Sequence, residues 1–451
     1  MSNSASSTRE ERSAADRRPG ASSTQGPVRI SVPVPPDALL RTKNIGLALL
    51  PVAGIPVLVG IAVVGVEGTA SAARLRQAWP LMALLAVAHA AATLLHAELD
   101  QFPFVSRGEA LLFSASLSFP PAGALFASMG APVASIGLLA TGGSLGWYFA
   151  VQGVDPARDT RLLVLPGGAL PQLLTLPEVS VEAPLEDDRS GEGPRDDLDG
   201  LVADPRALPP DGQSHLSENG TPRLPLYAAG DLYQRLAVRI PLDLAAELSL
   251  GRRPGPYPPY ARRALDLLLV VTSLPVTVPL LAATALAIRV GSQGPVLFWQ
   301  ERVGQGGEPF HMAKFRSMHV GHEGETSAVF ADEDDDRVTP VGQFIRRSRL
   351  DELPQLWNVL KGDMSLVGPR PEQVRLADHF ADALPLYSAR HRVPPGITGW
   401  AQVLQGYAAT VDETRQKLEY DLYYVKHQSV FLDLLILYLT VKTLLTGFGA
   451  R

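Results

Sequence analysis

Arg346–Glu372 reads RRSRLDELPQLWNVLKGDMSLVGPRPE, the densest run of reactive side chains in a chain of 451 residues. Two adjacent carboxylates, Asp351 and Glu352, stand immediately before Leu353, Leu356, Trp357 and Leu360. That i, i+3, i+4, i+7 spacing predicts a helix. Pro354 fits such a helix only in its first turn, where a missing N–H is not needed. Asp351 is therefore expected near the N-cap, with both carboxylates at the positive end of the helix dipole. There they should stay ionised, which suits a nucleophile or a metal ligand. Arg346, Arg347 and Arg349 crowd the acids from one side and Arg370 from the other. The plainer explanation is that an acidic pair at a helix start is a cap and nothing more.

Working outward, the composition bounds what this stretch can serve. The length implies two to four structural units. Hydrophobic residues make up 46% of the chain and charged residues only 19%, so membrane segments are the first thing to seek. No cysteine is present, which excludes disulfides, thiolate metal sites and cysteine nucleophiles. A net charge of −6 gives no support for a nucleic-acid partner, and the nine histidines show no metal-ligand spacing.

Residues 1–40 are rich in Ser, Ala, Arg and Pro without periodicity, and are expected to form a disordered cytoplasmic tail. Four apolar runs follow, Ile45–Val66, Trp79–Ala97, Ala110–Met129 and Ala131–Val151, each near the roughly 20 residues of a spanning helix. They define a four-helix transmembrane region over 41–154, and an even number of spans leaves both ends in the cytoplasm. The last two runs could instead form one buried hairpin, since Pro120 and Pro121 interrupt. Residues 155–259 predict a small degenerate α/β, Rossmann-like module and linker. RLLVLPGGALPQLL begins like a strand and a glycine turn but lacks the G-x-G-x-x-G phosphate fingerprint, and Asp231–Leu248 recovers a helical pattern.

Ala264–Val290 is apolar, carries Pro275 and Pro279 near its centre, and is flanked by arginines on both sides. The prolines predict a break or sharp kink. Two basic flanks fit a re-entrant helix–break–helix over 260–292 that enters one leaflet and returns; an ordinary fifth span is the alternative. The soluble stretch beyond it carries an acidic run, Asp332–Asp336, expected to be a solvated loop. PPGITGWAQVLQGY, Pro394–Tyr407, is turn-rich and expected to line a pocket or an interface. Val430–Leu445 is apolar but short and holds Asp433 and Lys442, so it should pack against the domain or the interface rather than span.

A phosphoryl substrate needs cationic neutralisation and an in-line nucleophile. Asp351 and Glu352 can supply a nucleophile and a ligand for Mg²⁺, which accepts one or two carboxylates plus phosphate oxygens. Lys314, Arg316 and Arg370 can bind phosphate oxygens. Beside a one-leaflet membrane segment, a lipid phosphate is the fitting partner.

From about Tyr260 to the C-terminus, the chain resembles the monotopic bacterial polyprenyl-phosphate sugar-phosphate transferases, or phosphoglycosyl transferases. RRALDLLL, GPVLFWQERVGQGGEPFHMAKFRSM, DDDRVTPVGQFIRRSRLDELPQLWNVLKGDMSLVGPRPE and PGITGWAQV carry the resemblance. With the four spans and the small module, it is similar to the long, priming form. The resemblance implies a mainly helical α+β cytoplasmic catalytic domain over 260–451, with the re-entrant helix hairpin at its start. Asp351 would be the nucleophile on a UDP-sugar, releasing UMP, and Glu352 would hold Mg²⁺. A ping-pong second step would pass the phosphosugar to undecaprenyl phosphate, the first membrane step of exopolysaccharide, capsule or O-antigen assembly. Lys314, Arg316, Arg349 and the Pro369-Arg370-Pro371 turn would bind substrate, and Asp421 would take an accessory acidic role. By its distance to Gly294, Pro279 matches the family's break better than Pro275. The resemblance further implies the bacterial inner membrane, a catalytic domain facing the cytoplasm, and a homodimer. A non-catalytic membrane scaffold and a UDP-sugar hydrolase are the alternatives, and the intact dyad with its basic residues speaks against the first.

Overall fold

The computed structural model describes residues 28–32, 160–165, 173–174, 176–177, 179–184, 198–203, 225–242, 258–319, 337–406 and 410–446. The four expected spans, most of the tail and the acidic run Asp332–Asp336 lie outside the described residues. The chain divides into two compact units, one built from 1–44 and 149–236, the other including 237–451.

The first unit is a five-stranded mixed sheet. Its strands are β1 (Val28–Val32), β2 (Thr160–Val164), β3 (Ser180–Pro184), β4 (Gly200–Ala203) and β5 (Leu226–Ala228), in the order β3-β1-β2-β4-β5. β1 runs antiparallel to both β2 and β3, while β2, β4 and β5 are parallel. Helix α1 (Ala229–Ala237) follows β5 and buries Leu232, Tyr233 and Leu236. The 1–40 tail therefore needs correcting, because Val28–Val32 is an internal strand of this sheet. Its alternation of Val28, Ile30 and Val32, all nearly inaccessible, has a period of two that overrides the polar composition around it.

The second unit holds the opening stretch. Val238–Leu242 leads into it, with Ile240 and Leu242 buried in its main core beside Trp400, Leu418, Leu422 and Ile436. Helix α2 (Pro259–Gly291) comes next, then the hairpin β6 (Leu297–Val303) and β7 (Pro309–Phe315), whose tight turn uses positive φ at Gly306 and Gly307. Helix α3 (Pro340–Arg347), a 3₁₀ turn at Leu350–Glu352 and helix α4 (Gln355–Lys361) carry the acidic pair. Strands β8 (Ser365–Val367) and β9 (Gly396–Thr398) pair in parallel around α5 (Val374–Ala383) and a 3₁₀ segment, Tyr387–Arg392. Helices α6 (Trp400–Leu404), α7 (Val411–His427) and α8 (Val430–Thr446) close the core.

Helix α2 corrects the expected break. Its 33 residues stay helical through Pro275 and Pro279. Each proline leaves one carbonyl without its usual donor, but the surrounding turns hold, and the Thr272 and Ser273 hydroxyls add bonds back to the carbonyls of Leu268, Leu269 and Val270. The helix is long and apolar enough to cross a membrane by length and composition, and little of its most apolar stretch is buried. What it buries falls at its two ends. Arg262, Asp266 and Val270 near the start and Thr284 and Ile288 near the finish share one helical face at about 100° per residue. Val270 packs with Met312, Val359 and Met364, and Ile288 with Phe315 and Ile345, so both ends dock on the same body. Between them Val271, Val276, Val278 and Leu280 are exposed.

The docking at the start is polar as well. Asp266 accepts from the Leu366 N–H at 3.0 Å and the Ser365 hydroxyl at 2.8 Å, while Arg262 donates to Ser365 Oγ and to the Val367 carbonyl. Arg263 donates to the Val359 and Leu360 carbonyls, satisfying the C-terminus of α4 where Gly362 turns left-handed. Helix α8 packs as expected: Leu432, Leu435 and Ile436 are buried, and Asp433 accepts from the Tyr424 hydroxyl at 2.7 Å.

Candidate active site

The acidic pair does not begin helix α4. Asp351 and Glu352 occupy their own 3₁₀ turn, entered through left-handed Arg349 (φ 58°), and α4 starts only at Gln355 with Pro354 as its uncapped N-cap. The N-cap expectation for Asp351 is thus overturned. Leu353 and Pro354 both keep right-handed helical angles, but Pro354 has no N–H to give, and the chain passes through i→i+3 bonds (Leu353 N–H to the Leu350 carbonyl at 3.2 Å, Leu356 N–H to the Leu353 carbonyl at 3.1 Å) before α4 begins.

The two carboxylates have opposite environments. Glu352 is clamped by Arg370 in fork geometry, with Nη2 to Oε1 at 2.6 Å and Nη1 to Oε2 at 3.3 Å. Lys314 Nζ stands 3.6 Å and Arg349 Nη1 4.0 Å from Oε1. Burial alone would raise the Glu352 pKa, but Arg370 and Lys314 hold it far below the usual carboxylate range. Asp351 Oδ1 is buried and has no hydrogen-bond partner among the described residues. Burial first, and the Glu352 charge second, push the Asp351 pKa up to about 6. The expectation that both acids stay ionised holds for Asp351 only above about pH 6, because desolvation and the like charge of Glu352 oppose its ionisation and the helix begins further along the chain. Lys314 is itself pulled down from its ordinary value by burial, against the opposing pull of Glu352.

The substrate-binding residues expected from sequence divide. Lys314, Arg349 and Arg370 converge on Glu352. Pro369 and Pro371 shape the turn that presents Arg370: the Pro369 carbonyl accepts from Gly396 N–H at 3.0 Å and the Pro371 carbonyl from Arg302 Nη1 at 3.0 Å. Arg316 goes elsewhere. It is buried and donates through Nη2 to Ser292 Oγ at 2.6 Å and the Ser292 carbonyl at 3.1 Å, gripping the residue that ends α2. Arg316 Nε and Nη1 have no hydrogen-bond partner among the described residues. Its position after β7, two residues beyond Lys314, aims it at the helix end rather than the dyad. Asp421 also departs from its expected accessory acidic role. It is buried in an ion pair with Arg390 at 2.7 Å, and Arg390 in turn donates to the Arg370 carbonyl at 3.0 Å.

Sequence reasoning missed this inner scaffold. Arg302 and Arg390 hold the carbonyls of Pro371 and Arg370, and Glu372 pairs with Lys417 at 2.6 Å. The partners sit 69, 20 and 45 residues apart in the chain, which no local pattern reveals. PPGITGW also proves to be core rather than a pocket wall or interface as a whole: β9 lies so close to Gly368 that a Cβ on Gly396 would sit 2.1 Å from the Gly368 nitrogen, and Trp400 is 1% exposed. Of this stretch Pro395 borders a small gap beside Arg370.

An unpaired carboxylate beside a charge-locked one, with Lys314, Arg349 and Arg370 around them, is an arrangement able to bind and attack a phosphoryl group. Residues 257–447 match the model of the bacterial sugar transferase family. Over 256 residues the chain is 46% identical to a UDP-N-acetylgalactosamine-undecaprenyl-phosphate N-acetylgalactosaminephosphotransferase of Aeromonas hydrophila, covering 56% of this chain and 60% of that protein. It is 44% identical over 218 residues to a UDP-glucose:undecaprenyl-phosphate glucose-1-phosphate transferase of Caulobacter vibrioides, covering 47% and 81%. Against the Escherichia coli protein of the same name the identity is 44% over 182 residues, 40% of this chain and 39% of that one. The chain belongs to the bacterial sugar transferase family.

Proposed function

We propose that this protein transfers a sugar 1-phosphate from a UDP-sugar to undecaprenyl phosphate, giving undecaprenyl-diphosphate-sugar and UMP. The observation that carries the proposal is the asymmetry of the dyad, a half-buried Asp351 whose Oδ1 is buried without a partner among the described residues, beside a Glu352 fixed by Arg370 and Lys314. In the first step, an Asp351 oxygen attacks the sugar-proximal phosphorus. The phosphoanhydride bond breaks, and UMP leaves with the bonding pair. Arg370 and Lys314 neutralise the charge that accumulates on the phosphate oxygens. In the second step, an oxygen of undecaprenyl phosphate attacks the same phosphorus and releases the Asp351 carboxylate. Glu352 holds the cations in register and stays ionised throughout.

Mg²⁺ fits this donor set. It needs only one or two carboxylates with substrate phosphates and water, and the orphaned Asp351 Oδ1 beside Glu352 offers them. Glu352, with Asp351 beside it, would hold the ion. When bound, it would supply charge neutralisation at the diphosphate.

Helix α2 supports a re-entrant placement at the inner leaflet with the dyad on the cytoplasmic side. A spanning helix would carry its two ends to opposite faces of a core about 30 Å thick, whereas both ends of α2 bury against one body. Phe344 on α3 and Trp357 on α4 are exposed, the residue types that favour a headgroup interface.

The test uses membranes containing the full chain, labelled UDP-glucose or UDP-N-acetylgalactosamine, Mg²⁺ and undecaprenyl phosphate. Lipid-linked label that disappears in Asp351→Asn is the expected result. Transfer undiminished by that substitution would sink the nucleophile assignment, and water-soluble sugar phosphate without lipid-linked label would favour a hydrolase.

A further inference from the structure

A cavity of about 400 Å³ opens between the β6–β7 turn, α5 and the 3₁₀ segment Tyr387–Arg392. None of the dyad residues lines it, yet it adjoins their site. Val303 and His391 border both this cavity and the small gap formed by Pro369, Arg370 and Pro371. His391 follows Arg390, whose guanidinium holds the Arg370 carbonyl. The Gln305 side chain donates to the Arg392 carbonyl at 3.2 Å and ties the two rims together.

The walls are of two kinds. Val374, Ala377 and Ala381 recur at three and four residues along α5 and give a shallow apolar face of small side chains. Opposite, Gly306 and Gly307 present bare backbone, and a Cβ at either would meet nothing within 4 Å. The polar groups are Asp378, Ser388 and Arg392, all on exposed residues, and His391 nearer Arg370. Burial, aided by the Arg390 charge, lowers the His391 pKa to about 4, so the ring is neutral at physiological pH and adds no charge.

We propose that this cavity binds the nucleoside end of the nucleotide sugar, an inference that rests on the transfer reaction above. A donor whose diphosphate lies against Arg370 extends in two directions, toward the sugar and toward the nucleoside. An apolar face of small side chains with one carboxylate and one guanidinium at its rim suits a base and a ribose. The base lies between the α5 face and the glycine turn, and the Asp378 carboxylate accepts from the ribose diol. A sugar ring, with a hydroxyl on nearly every carbon, needs more polar partners than these walls offer. The volume is within the range of small-molecule sites, about 300–1,000 Å³.

The test is direct titration of the full chain in nanodiscs with UMP, 2′,3′-dideoxy-UMP and glucose 1-phosphate. Ala381→Leu fills the slot, and Asp378→Ala removes the diol acceptor. Both positions are exposed on α5, so the fold does not depend on them. Ala381→Leu should weaken UMP about tenfold or more and leave glucose 1-phosphate unchanged. Asp378→Ala should weaken UMP by about tenfold, the worth of a hydrogen bond to a charged group, and leave the dideoxy nucleotide unaffected. Unchanged UMP affinity in Ala381→Leu, or equal losses for UMP and glucose 1-phosphate, would overturn the assignment. Titration needs no turnover, so the two ideas separate. UMP bound through the cavity without lipid-linked label would refute the transfer reaction alone. Label transfer with UMP affinity indifferent to both substitutions would refute the cavity alone.

Discussion

Replacing the proposed nucleophile should make the protein more stable. Asp351 titrates near pH 6 in the fold against an ordinary value of 3.8. The folded chain therefore binds that proton more tightly than the unfolded chain does. Stability falls as pH climbs from about 4 to about 6 and is flat above. The 2.2-unit difference (6 − 3.8) at about 1.36 kcal/mol per unit makes the ionised carboxylate cost roughly 3 kcal/mol at pH 8. Asn keeps the shape, loses the charge and pays no such penalty. For a unit of this size, about 2–4 °C per kcal/mol translates the gain into a rise of about 6–12 °C in apparent melting temperature. The assay is thermal unfolding of wild type and Asp351→Asn in nanodiscs with EDTA, at pH 8, 6 and 4.5. The advantage should be full at pH 8 and fall to about a third of that at pH 4.5, while label transfer is abolished. Equal melting at pH 8, or an advantage that ignores pH, would refute the burial argument.

Transfer itself should decline as pH falls through about 6, approaching tenfold per unit below, because the protonated acid is no nucleophile; kcat/KM against pH checks it. Arg390→Met should destabilise by about 3–5 kcal/mol by stranding Asp421, and Arg390→Met with Asp421→Leu should recover most of that in melting experiments while transfer stays impaired, since the Arg370 carbonyl has lost its donor. Gly342→Ala should lower the melting temperature by several degrees, because its Cβ would stand 1.9 Å from the Ser317 carbonyl oxygen and overpacking costs about 1–3 kcal/mol. The chain has no cysteine, so Tyr260→Cys and Val290→Cys, one at each end of α2, can be probed with a membrane-impermeant thiol reagent. A re-entrant helix gives both the same sidedness, and opposite sidedness would establish a span.

Much of the site was legible because it is written locally. The dyad, Lys314, Arg349 and Arg370 lie in two short stretches rich in charge, and their convergence on Glu352 needed only that those stretches meet. The length and apolar character of α2 and the packing of α8 were equally readable. What escaped was set by distance and by desolvation. The grip of Arg390 on Arg370 depends on chain paths that spacing does not encode. Asp351 reads as a helix cap until burial is known, and burial reverses the direction of its pKa. Pro275 and Pro279 suggest a break that does not occur, since a long helix anchored at both ends tolerates two missing donors. The strand Val28–Val32 is hard to see in the sequence, because five alternating residues inside a Pro- and Ser-rich stretch are swamped by any average over composition.

The short strap Val238–Leu242 reaches beyond the family's own border. Val238 sits in left-handed conformation (φ 48°), rare for a β-branched residue, and its carbonyl accepts from Trp400 Nε1 at 2.9 Å. Ile240 N–H donates to the Glu419 carbonyl at 3.1 Å, and Ile240 itself is wholly buried. The family match begins at residue 257, yet the folded body begins about twenty residues earlier. A truncated chain cut at the motif boundary would uncover the indole of Trp400 and the apolar side of α7, leaving a sticky groove where the strap had been. Designers of soluble or crystallisable fragments should start upstream of Ala237, since the polypeptide just before the recognisable enzyme is part of its interior.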